Sequence, residues 1–217
     1  MKKPGQKCSG SLYIDVGIFL CGKIKKNEYN SIKYEIKSAD IEYRNRTNVH
    51  AFCYNFVQKK GSVNMVTALN VGNNLLQRGF AEKIDITPMK LQKLVYFIYR
   101  DYLQKTGKAL FNERFETWKY GPVCPSIYKA FKQYGSNAIR DYVYEPGENC
   151  YLTVNENSSP IFKKIIDDVW NENKYYDGIY LSSLTHREGT AWKKAYDNQS
   201  QYLLDADIRE EETNCGR

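Results

Sequence analysis

Cys124 and His186 are the residues whose types could support nucleophilic catalysis, and Glu188 lies close to the histidine in sequence. A thiol becomes a catalytic nucleophile when a histidine within hydrogen-bond reach takes its proton and a third group orients that histidine. Nothing in the sequence indicates such adjacency. Cys124 lies in a Pro-Val-Cys-Pro sequence, where a small apolar side chain at a helix start is the simpler interpretation. We expect His186 to organise the Gly189-Thr190 turn by hydrogen bonding.

Metal and phosphate binding have weaker support in the sequence. His50 and Cys53 are three residues apart, but a closed zinc site needs four ligands and no second pair has suitable spacing. Gly121, Gly135 and Gly147 are isolated turn residues, unlike the glycine-rich loops that bind phosphate. We therefore predict no metal, no cofactor and no catalytic residue.

The elements that would position these residues begin with a helix at Thr87-Pro88. Threonine can cap a helix, and proline fits the first helical position, where no backbone N–H is needed. An apolar face at helical spacing consists of Leu91, Leu94, Val95, Ile98 and Tyr102. The polar residues expected to face solvent are Lys90, Lys93, Arg100 and Gln104. Gly107 offers a helix end.

A second, aromatic segment follows. Residues 113–120 suit a short strand, and we expect Gly121-Pro122 to end it, because proline cannot donate to a strand ladder. Pro125 then begins a helix that ends at Gly135. Its inward side chains are predicted to be Ile127, Tyr128, Phe131 and Tyr134.

These segments together resemble the Panacea domain family, which includes SocA-like antitoxins and phage-associated GepA-like proteins. The family pattern reads TPxKLQKLxYF and then FEAWxYGPVxPxxY, and the chain carries TPMKLQKLVYF and FETWKYGPVCPSIY. Thr117 stands where alanine is more familiar. The segment LSSLTHREGTAW at residues 181–192 resembles the second family signature. The resemblance covers roughly residues 65 to 210.

The resemblance implies an antitoxin that neutralises a cognate toxin, encoded beside it, by direct protein contact. Some family members deliver a toxin to a protease, so a protease or a chaperone is a further implied partner. The family brings no catalytic residue, and we predict that the protein is not an enzyme. The two signatures are expected to be neighbours in the fold.

Within these signatures, aromatic and arginine side chains are the expected partner anchors, because such residues dominate interface energetics. The candidate partner-binding residues are Tyr120, Pro122, His186 and Arg187. The motif residues expected to be structural are Pro88, Leu91, Leu94, Trp118, Gly121 and Trp192. Trp118 in particular is expected to pack the sheet against the helices, while Tyr120 and Arg187 are expected to be more exposed.

The remaining elements are predicted from periodicity and turn residues. A first helix is expected over residues 66–77, and strands at 139–144 and 151–154 are expected to form a small sheet with residues 113–120. Further helices are predicted from Ser159-Pro160, over residues 181–187 and after Thr190. Residues 205–212 are either a solvated tail or a last helical turn. The sequence thus predicts an α+β fold, predominantly α: a compact helical domain with a small antiparallel sheet and a basic N-terminal extension.

Excess positive charge is confined to that extension. Residues 1–64 hold 12 Lys and Arg against 5 Asp and Glu, whereas residues 65–217 hold 20 of each. We divide the chain into the extension (1–64), a Panacea/SocA-like antitoxin domain (65–210) and an acidic or polar tail (211–217). The extension is either translated upstream sequence or a small divergent β-rich segment. Residues 59–64 can be encoded with a ribosome-binding sequence just before Met65, whereas residues 11–20, 31–37 and 50–57 read as short strands.

The alternative function is a nucleic-acid-binding regulator, suggested by the basic extension. It is not favoured, because residues 65–217 are electrically balanced. A hydrolase using Cys124 or His186 is a third hypothesis. No stretch approaches the ~20 apolar residues that a membrane-spanning helix requires, and the six scattered cysteines suit a reducing compartment. We therefore expect a cytoplasmic protein.

Overall fold

The computed structural model describes residues 66–144 and 151–212, with the backbone alone of Ile18–Gly22 and Cys150. The helices of this part are α1 (Ala68–Glu82), α2 (Pro88–Thr106), α3 (Pro125–Phe131), α4 (Pro160–Asn173), α5 (Gly178–Thr185), α6 (Ala191–Asp197) and α7 (Asp205–Glu210). The strands are β1 (Ile18–Gly22), β2 (Glu116–Trp118), β3 (Gly121–Val123) and β4 (Cys150–Val154). The predicted α+β class, predominantly helical with a minor antiparallel sheet, is confirmed.

Helix α2 is the centre of the domain and packs against α1, α4, α5 and α7. It starts as predicted, with the Thr87 hydroxyl accepting from the Lys90 backbone N–H and Pro88 in the first turn. Gly107 ends it in the left-handed conformation, with its N–H bonded to the Leu103 carbonyl. All members of the predicted apolar face are buried. Local sequence signals therefore fix this helix.

The predicted solvent face of α2 is wrong at two lysines. Lys93 keeps only 1% of its surface exposed and Lys90 keeps 5%. Lys90 Nζ donates to the Lys174 carbonyl at 2.5 Å, which ties the start of α2 to the end of α4. Helical spacing alone misses both, because their acceptors come from segments distant in sequence.

The flanking helices follow the predicted order with shifted bounds. Helix α1 runs further than predicted, to Glu82, and begins with a reciprocal capping box between Thr67 and Asn70. Helix α4 begins at Pro160 with Ser159 as its cap, as predicted. In α3, Tyr128 is 43% exposed, against the predicted inward position.

The strands form two separate two-stranded antiparallel sheets, β1–β4 and β2–β3, instead of one predicted sheet. Residues 139–144 contain no strand, and β4 pairs with β1, with Leu20 opposite Leu152. Gly121-Pro122 does not end the aromatic segment. It opens β3, where Pro122 pairs with Thr117. The predicted strands at 31–37 and 50–57, and the His50/Cys53 pair, lie outside the described residues.

Of the two alternatives for residues 205–212, the structure shows the last helical turn, α7, and not a solvated tail. Ile208 of α7 is buried, and Glu211 is 4% exposed. The Glu211 carboxylate accepts from the Tyr96 hydroxyl, from Arg100 Nη1 at 3.2 Å and from the Ala191 backbone N–H at 3.0 Å. Burial, reinforced by the Glu211 carboxylate, raises the pKa of Tyr96 well above its ordinary value. Among the described helices, none has the length and apolar character needed to cross a membrane.

Candidate partner-binding site

The β2–β3 hairpin is held by side chains from three helices. Four carbonyls at alternate positions, those of Trp118, Tyr120, Pro122 and Cys124, each accept one side-chain hydrogen bond. The donors, which we call the hairpin-binding residues, are Trp192 Nε1, Ser182 Oγ, Lys93 Nζ and Gln92 Nε2, at 3.0, 2.8, 2.9 and 3.1 Å respectively. A strand pair this short has few ladder bonds, so these donors fix its position.

Helix α2 supplies two of these donors at consecutive positions. The Gln92 amide binds both backbone groups of Cys124, since its Oε1 also accepts from the Cys124 N–H at 2.8 Å. Lys93 extends beside it and reaches the Pro122 carbonyl. Burial lowers the pKa of Lys93 to about 7, because the charged amine loses its hydration. A lysine at this position therefore behaves as a weakly basic hydrogen-bond donor.

Gly121 is required at the tip of the hairpin for two reasons. Its φ of +96° lies in the region that side chains rarely adopt. A Cβ placed there would stand 2.6 Å from Thr185 Oγ1 and 2.7 Å from Lys93 Nζ. The Tyr-Gly-Pro sequence of the first signature thus allows the hairpin to lie directly on α2 and α5.

The second signature, residues 181–192, also contacts the hairpin, through Ser182 and Trp192. Thr190 Oγ1 donates to the Thr185 carbonyl at 2.7 Å and accepts from the Lys193 N–H, which caps α6 as predicted. Thr190, and not His186, therefore organises this turn. The His186 ring instead stacks on Trp192, with centroids 3.8 Å apart and planes 13° apart.

His186 is left with an unusual environment. Its Nε2 is buried without a hydrogen-bond partner among the described residues. Burial, with a smaller contribution from the nearby Lys93 charge, lowers the pKa of His186. The neutral ring is therefore favoured, which suits stacking on Trp192 and gives no sign of the oriented base that catalysis requires.

The candidate partner-binding residues separate into two groups. Tyr120 is 58% exposed and Arg187 is also exposed, as expected. Pro122 is buried and His186 is partly buried, so neither presents a large free surface. The Ser182–Tyr120 and Trp192–Trp118 hydrogen bonds bring the two signatures together.

Trp118 is not a core residue, which corrects the expectation that it packs the sheet against the helices. Its side chain is 38% exposed, and its Nε1 donates to Glu116 Oε2 at 2.6 Å. The ring meets Tyr128 edge to face at a centroid distance of 4.7 Å. Leu91, Leu94 and Trp192 are buried. Trp118 therefore belongs to the outer aromatic surface of the hairpin.

Cys124 has the environment of a structural thiol. It is fully buried, its Sγ lies 3.2 Å from Ser126 Oγ, and burial raises the pKa of its thiol. A raised pKa opposes thiolate formation, the opposite of what a catalytic cysteine needs. The described residues also contain no group of three or more His, Cys, Asp or Glu side chains arranged to hold a metal ion.

Sequence reasoning missed Gln92, Lys93 and Ser182 as residues that shape the site. Gln92 and Lys93 are letters of the first family pattern, KLQKL, which was the available signal for them, whereas Ser182 lies in the segment that resembles the second signature. A helix surface position facing solvent does not need a particular residue type. A lysine that belongs to a motif is therefore a candidate for a buried, specific contact.

Comparison with known proteins shows what this part of the chain is similar to. Residues 91–193 match the family model described as Antitoxin SocA-like, Panacea domain. This span is narrower than the predicted 65–210, but it includes all four hairpin-binding residues. The chain is 42% identical over 74 residues to Antitoxin SocA of Caulobacter vibrioides (strain NA1000 / CB15N), covering 34% of this chain and 39% of that protein. No solved structure matches the chain.

Proposed function

We propose that this chain is an antitoxin that neutralises a cognate toxin by direct protein contact, because its residues 91–193 match the SocA-like Panacea domain family model. The observation that carries the proposal is the fixed hairpin. Four side-chain hydrogen bonds hold its backbone, and its tip places Tyr120 outward at 58% exposure. An aromatic anchor on a rigid support loses little conformational freedom when it binds a partner.

The chemistry of the site supports binding over catalysis. Cys124 is buried with a raised pKa, and His186 stacks on Trp192 instead of facing an acidic orienting group. Tyr120 and Arg187, the two exposed candidates, are residue types that dominate protein interfaces. We propose that both contact the toxin and that Pro122 and His186 act indirectly, by fixing the surface.

The experiment is co-expression with the product of the adjacent reading frame. Growth arrest by that product alone, and growth in the presence of this protein, is the expected result. Tyr120→Ala and Arg187→Ala should weaken neutralisation while melting like the wild type, and Arg209→Ala, on α7, is the matched control. Failure of the wild-type protein to restore growth, with both proteins soluble, would refute the antitoxin proposal.

The same strains separate two modes of neutralisation. If this protein occludes the toxin, the toxin should persist at an undiminished level in a stable complex. If it delivers the toxin to a protease, the toxin level should fall when the protein is present and recover in protease-deficient cells. Immunoblotting after translation is blocked distinguishes these outcomes.

The nucleic-acid alternative rests on the basic residues 1–64. Phosphate contacts release counterions, so binding of this kind must weaken steeply as salt concentration rises. Removing residues 1–64 should then abolish most DNA retention. Equal, salt-insensitive retention of both forms would contradict it.

A further inference from the structure

An open groove of about 360 Å³ lies beside strand β2. Its lining comes from the residues before and within β2, from the start of α3 and from the C-terminal segment: Glu113, Arg114, Glu116, Pro125, Ser126 and Tyr202. Tyr202 pairs with Glu116 in an antiparallel bridge, and the Thr117 N–H donates to the Gln201 carbonyl at 2.9 Å. Strand β2 is therefore bonded on both edges, to β3 and to this C-terminal segment, which fixes the backbone of the groove.

Aromatic side chains border this groove. Trp118 Nε1 donates to Glu116 Oε2 at 2.6 Å, which places the indole beside that carboxylate. The Tyr128 ring meets Trp118 edge to face at a centroid distance of 4.7 Å. The two rings are 38% and 43% exposed, so part of each remains free for a partner. We call the groove together with these two rings the hairpin groove.

Two carboxylates in the hairpin groove keep their negative charge. Glu113 Oε1 accepts from the Ala68 backbone N–H at 3.0 Å, and Glu116 accepts from the Trp118 indole, so both donors are neutral. Among the described residues, the second oxygen of each carboxylate has no hydrogen-bond partner and neither group forms an ion pair. Arg114 also lines the groove but pairs with neither of them. The lining therefore carries more negative charge than positive.

The cations of this region lie elsewhere. The Arg114 guanidinium stands over the Tyr202 ring, 5.7 Å from its centroid. Lys119 follows Trp118 in sequence, but its Nζ lies at the hairpin tip, 5.5 Å from the Tyr120 ring centroid. Both carboxylates are thus left for a cation that the partner supplies.

A guanidinium group has the chemistry that fits the hairpin groove. It is planar, it stacks on aromatic rings, and it can donate two parallel hydrogen bonds to one carboxylate. An acidic side chain or a nucleic-acid phosphate would instead be repelled by Glu113 and Glu116. The combination of exposed rings and unpaired carboxylates therefore favours a basic protein segment over nucleic acid.

We infer that the hairpin groove receives an arginine side chain of the toxin. This inference rests on the proposed antitoxin function and adds a contact of defined chemistry to those of Tyr120 and Arg187. Trp118 and Tyr120 are two residues apart on the same hairpin. A single interface, which typically covers roughly 800 Å² on each partner, can therefore include both the groove and the hairpin tip.

The test removes the charge of the groove and keeps its shape. Glu116→Gln and Glu113→Gln retain an oxygen that can accept the present hydrogen bond, so both variants should melt like the wild type. The matched control is Glu172→Gln on α4, because Glu172 is exposed and also forms no ion pair with a described residue. Tyr128→Leu removes one of the two bordering rings and provides a variant of different chemistry.

The probe is the purified product of the adjacent reading frame. The double variant Glu113→Gln/Glu116→Gln should raise the Kd of the complex at least roughly tenfold, and the loss should shrink at high salt. Tyr128→Leu should also weaken binding, whereas Glu172→Gln should match the wild type. If the wild type neutralises the toxin and the folded groove variants bind it as tightly or more tightly, the groove assignment is wrong and the antitoxin function stands. If the wild type does not neutralise, both proposals fail together.

A double-mutant cycle identifies the group that occupies the groove. Each arginine of the toxin is replaced by glutamine, and each variant is measured against the wild type and against Glu113→Gln/Glu116→Gln. One arginine variant should lose affinity for the wild type and lose little more against the double variant, because the two sets of changes remove the same contact. Additive losses for every toxin arginine would overturn the inference. Coupling to a toxin lysine instead would overturn the guanidinium assignment.

Discussion

The backbones of the hairpin β2–β3 and of strand β4 are both bound by helix side chains, but the side chains differ in type. Both are short strands whose backbone groups are satisfied by helix side chains as well as by a strand partner. Strand β4 is bound by two neighbouring asparagines of α1, Asn73 and Asn74. The hairpin is bound by an amide, an amine, a hydroxyl and an indole from α2, α5 and α6.

The asparagine side chains carry no charge and bind the strand backbone through both their oxygen and their nitrogen atoms. Asn74 Oδ1 accepts from the Val154 N–H at 2.8 Å, and its Nδ2 donates to the Val154 carbonyl at 2.9 Å. The hairpin region, in contrast, includes the buried amine of Lys93, which donates to the Pro122 carbonyl. It also includes Thr117 Oγ1 and His186 Nε2, which have no hydrogen-bond partner within the part of the chain that the structure describes. Buried polar atoms without hydrogen-bond partners are expected mainly where function constrains the sequence. The third buried atom of this kind among the described residues, Arg78 Nε, lies on α1. The hairpin region thus holds two of the three, together with the buried amine, which supports assigning function to that side of the domain.

Removing the indole contact should have the largest effect on the hairpin. Trp192 is 4% exposed and also stacks on His186, so Trp192→Ala should lower the free energy of unfolding by about 3–5 kcal/mol, as large core deletions do. Trp118→Ala should cost only about 1–2 kcal/mol, because its ring is already partly solvated. Chemical denaturation of both variants measures the difference. If the two variants lose the same free energy of unfolding, Trp118 contributes as much as a core residue and this prediction is wrong.

The tip of the hairpin can be broken by a single methyl group. Gly121→Ala combines a strained positive φ with contacts below 3 Å to Thr185 and Lys93, and should cost about 3 kcal/mol. Gly135 also has a positive φ, of 56°, but nothing lies within 4 Å of its Cβ position. Gly135→Ala should therefore cost only about 1 kcal/mol. Melting curves of the two variants separate packing from backbone strain, and similar losses would argue against tight packing at the tip.

The amide contacts of the two regions can be compared directly. Asn74→Ala removes both side-chain hydrogen bonds to Val154, and Gln92→Ala removes both to Cys124. Each change leaves buried backbone groups without partners and should cost about 2 kcal/mol. Only Gln92→Ala should also weaken toxin binding, as measured by co-purification. Weakened binding by Asn74→Ala at equal stability would place part of the interface near β4.

The sequence predicted those parts of the fold that depend on near neighbours. Caps at Thr87, Ser159 and Thr190 were found because a cap and the backbone N–H that donates to it lie within three residues. The end of α2 at Gly107 follows for the same reason. The pairing of β4 with β1 was missed, since it joins segments far apart in the chain and no local signal specifies it.

The site was predicted in outline but not in mechanism. The family signatures correctly indicated that the hairpin and the 181–192 segment are neighbours. The burial of Lys93 could not be read from helical spacing, because its acceptor, the Pro122 carbonyl, is placed by a turn elsewhere. Pro122 itself was taken as a strand end, although it pairs with Thr117 in the ladder.

The Lys93 amine should make the stability of the hairpin region depend on pH, whereas the asparagine contacts of β4 should not. Burial lowers the pKa of folded Lys93 to about 7, whereas an unfolded lysine titrates near ~10.4. Between these values the unfolded chain binds a proton that the folded chain lacks, so this residue makes stability rise with pH. Lys93→Met removes that contribution. From about pH 7.5 to about pH 8.5, the stability of the wild type relative to Lys93→Met should increase by about 1 kcal/mol. Urea denaturation at both pH values measures it.

The control for this experiment is Asn74→Ala, which alters the β4 contacts without removing a titratable group. Its cost relative to the wild type should be the same at both pH values. His186 does not interfere, since burial lowers its pKa from 6.5 and it titrates below this range. A cost of Lys93→Met that is independent of pH would show that Lys93 remains charged in the fold. The Pro122 carbonyl would then accept from the protonated Lys93 side chain. The two regions would differ only in the chemical type of their donors and not in the pH dependence of their stability.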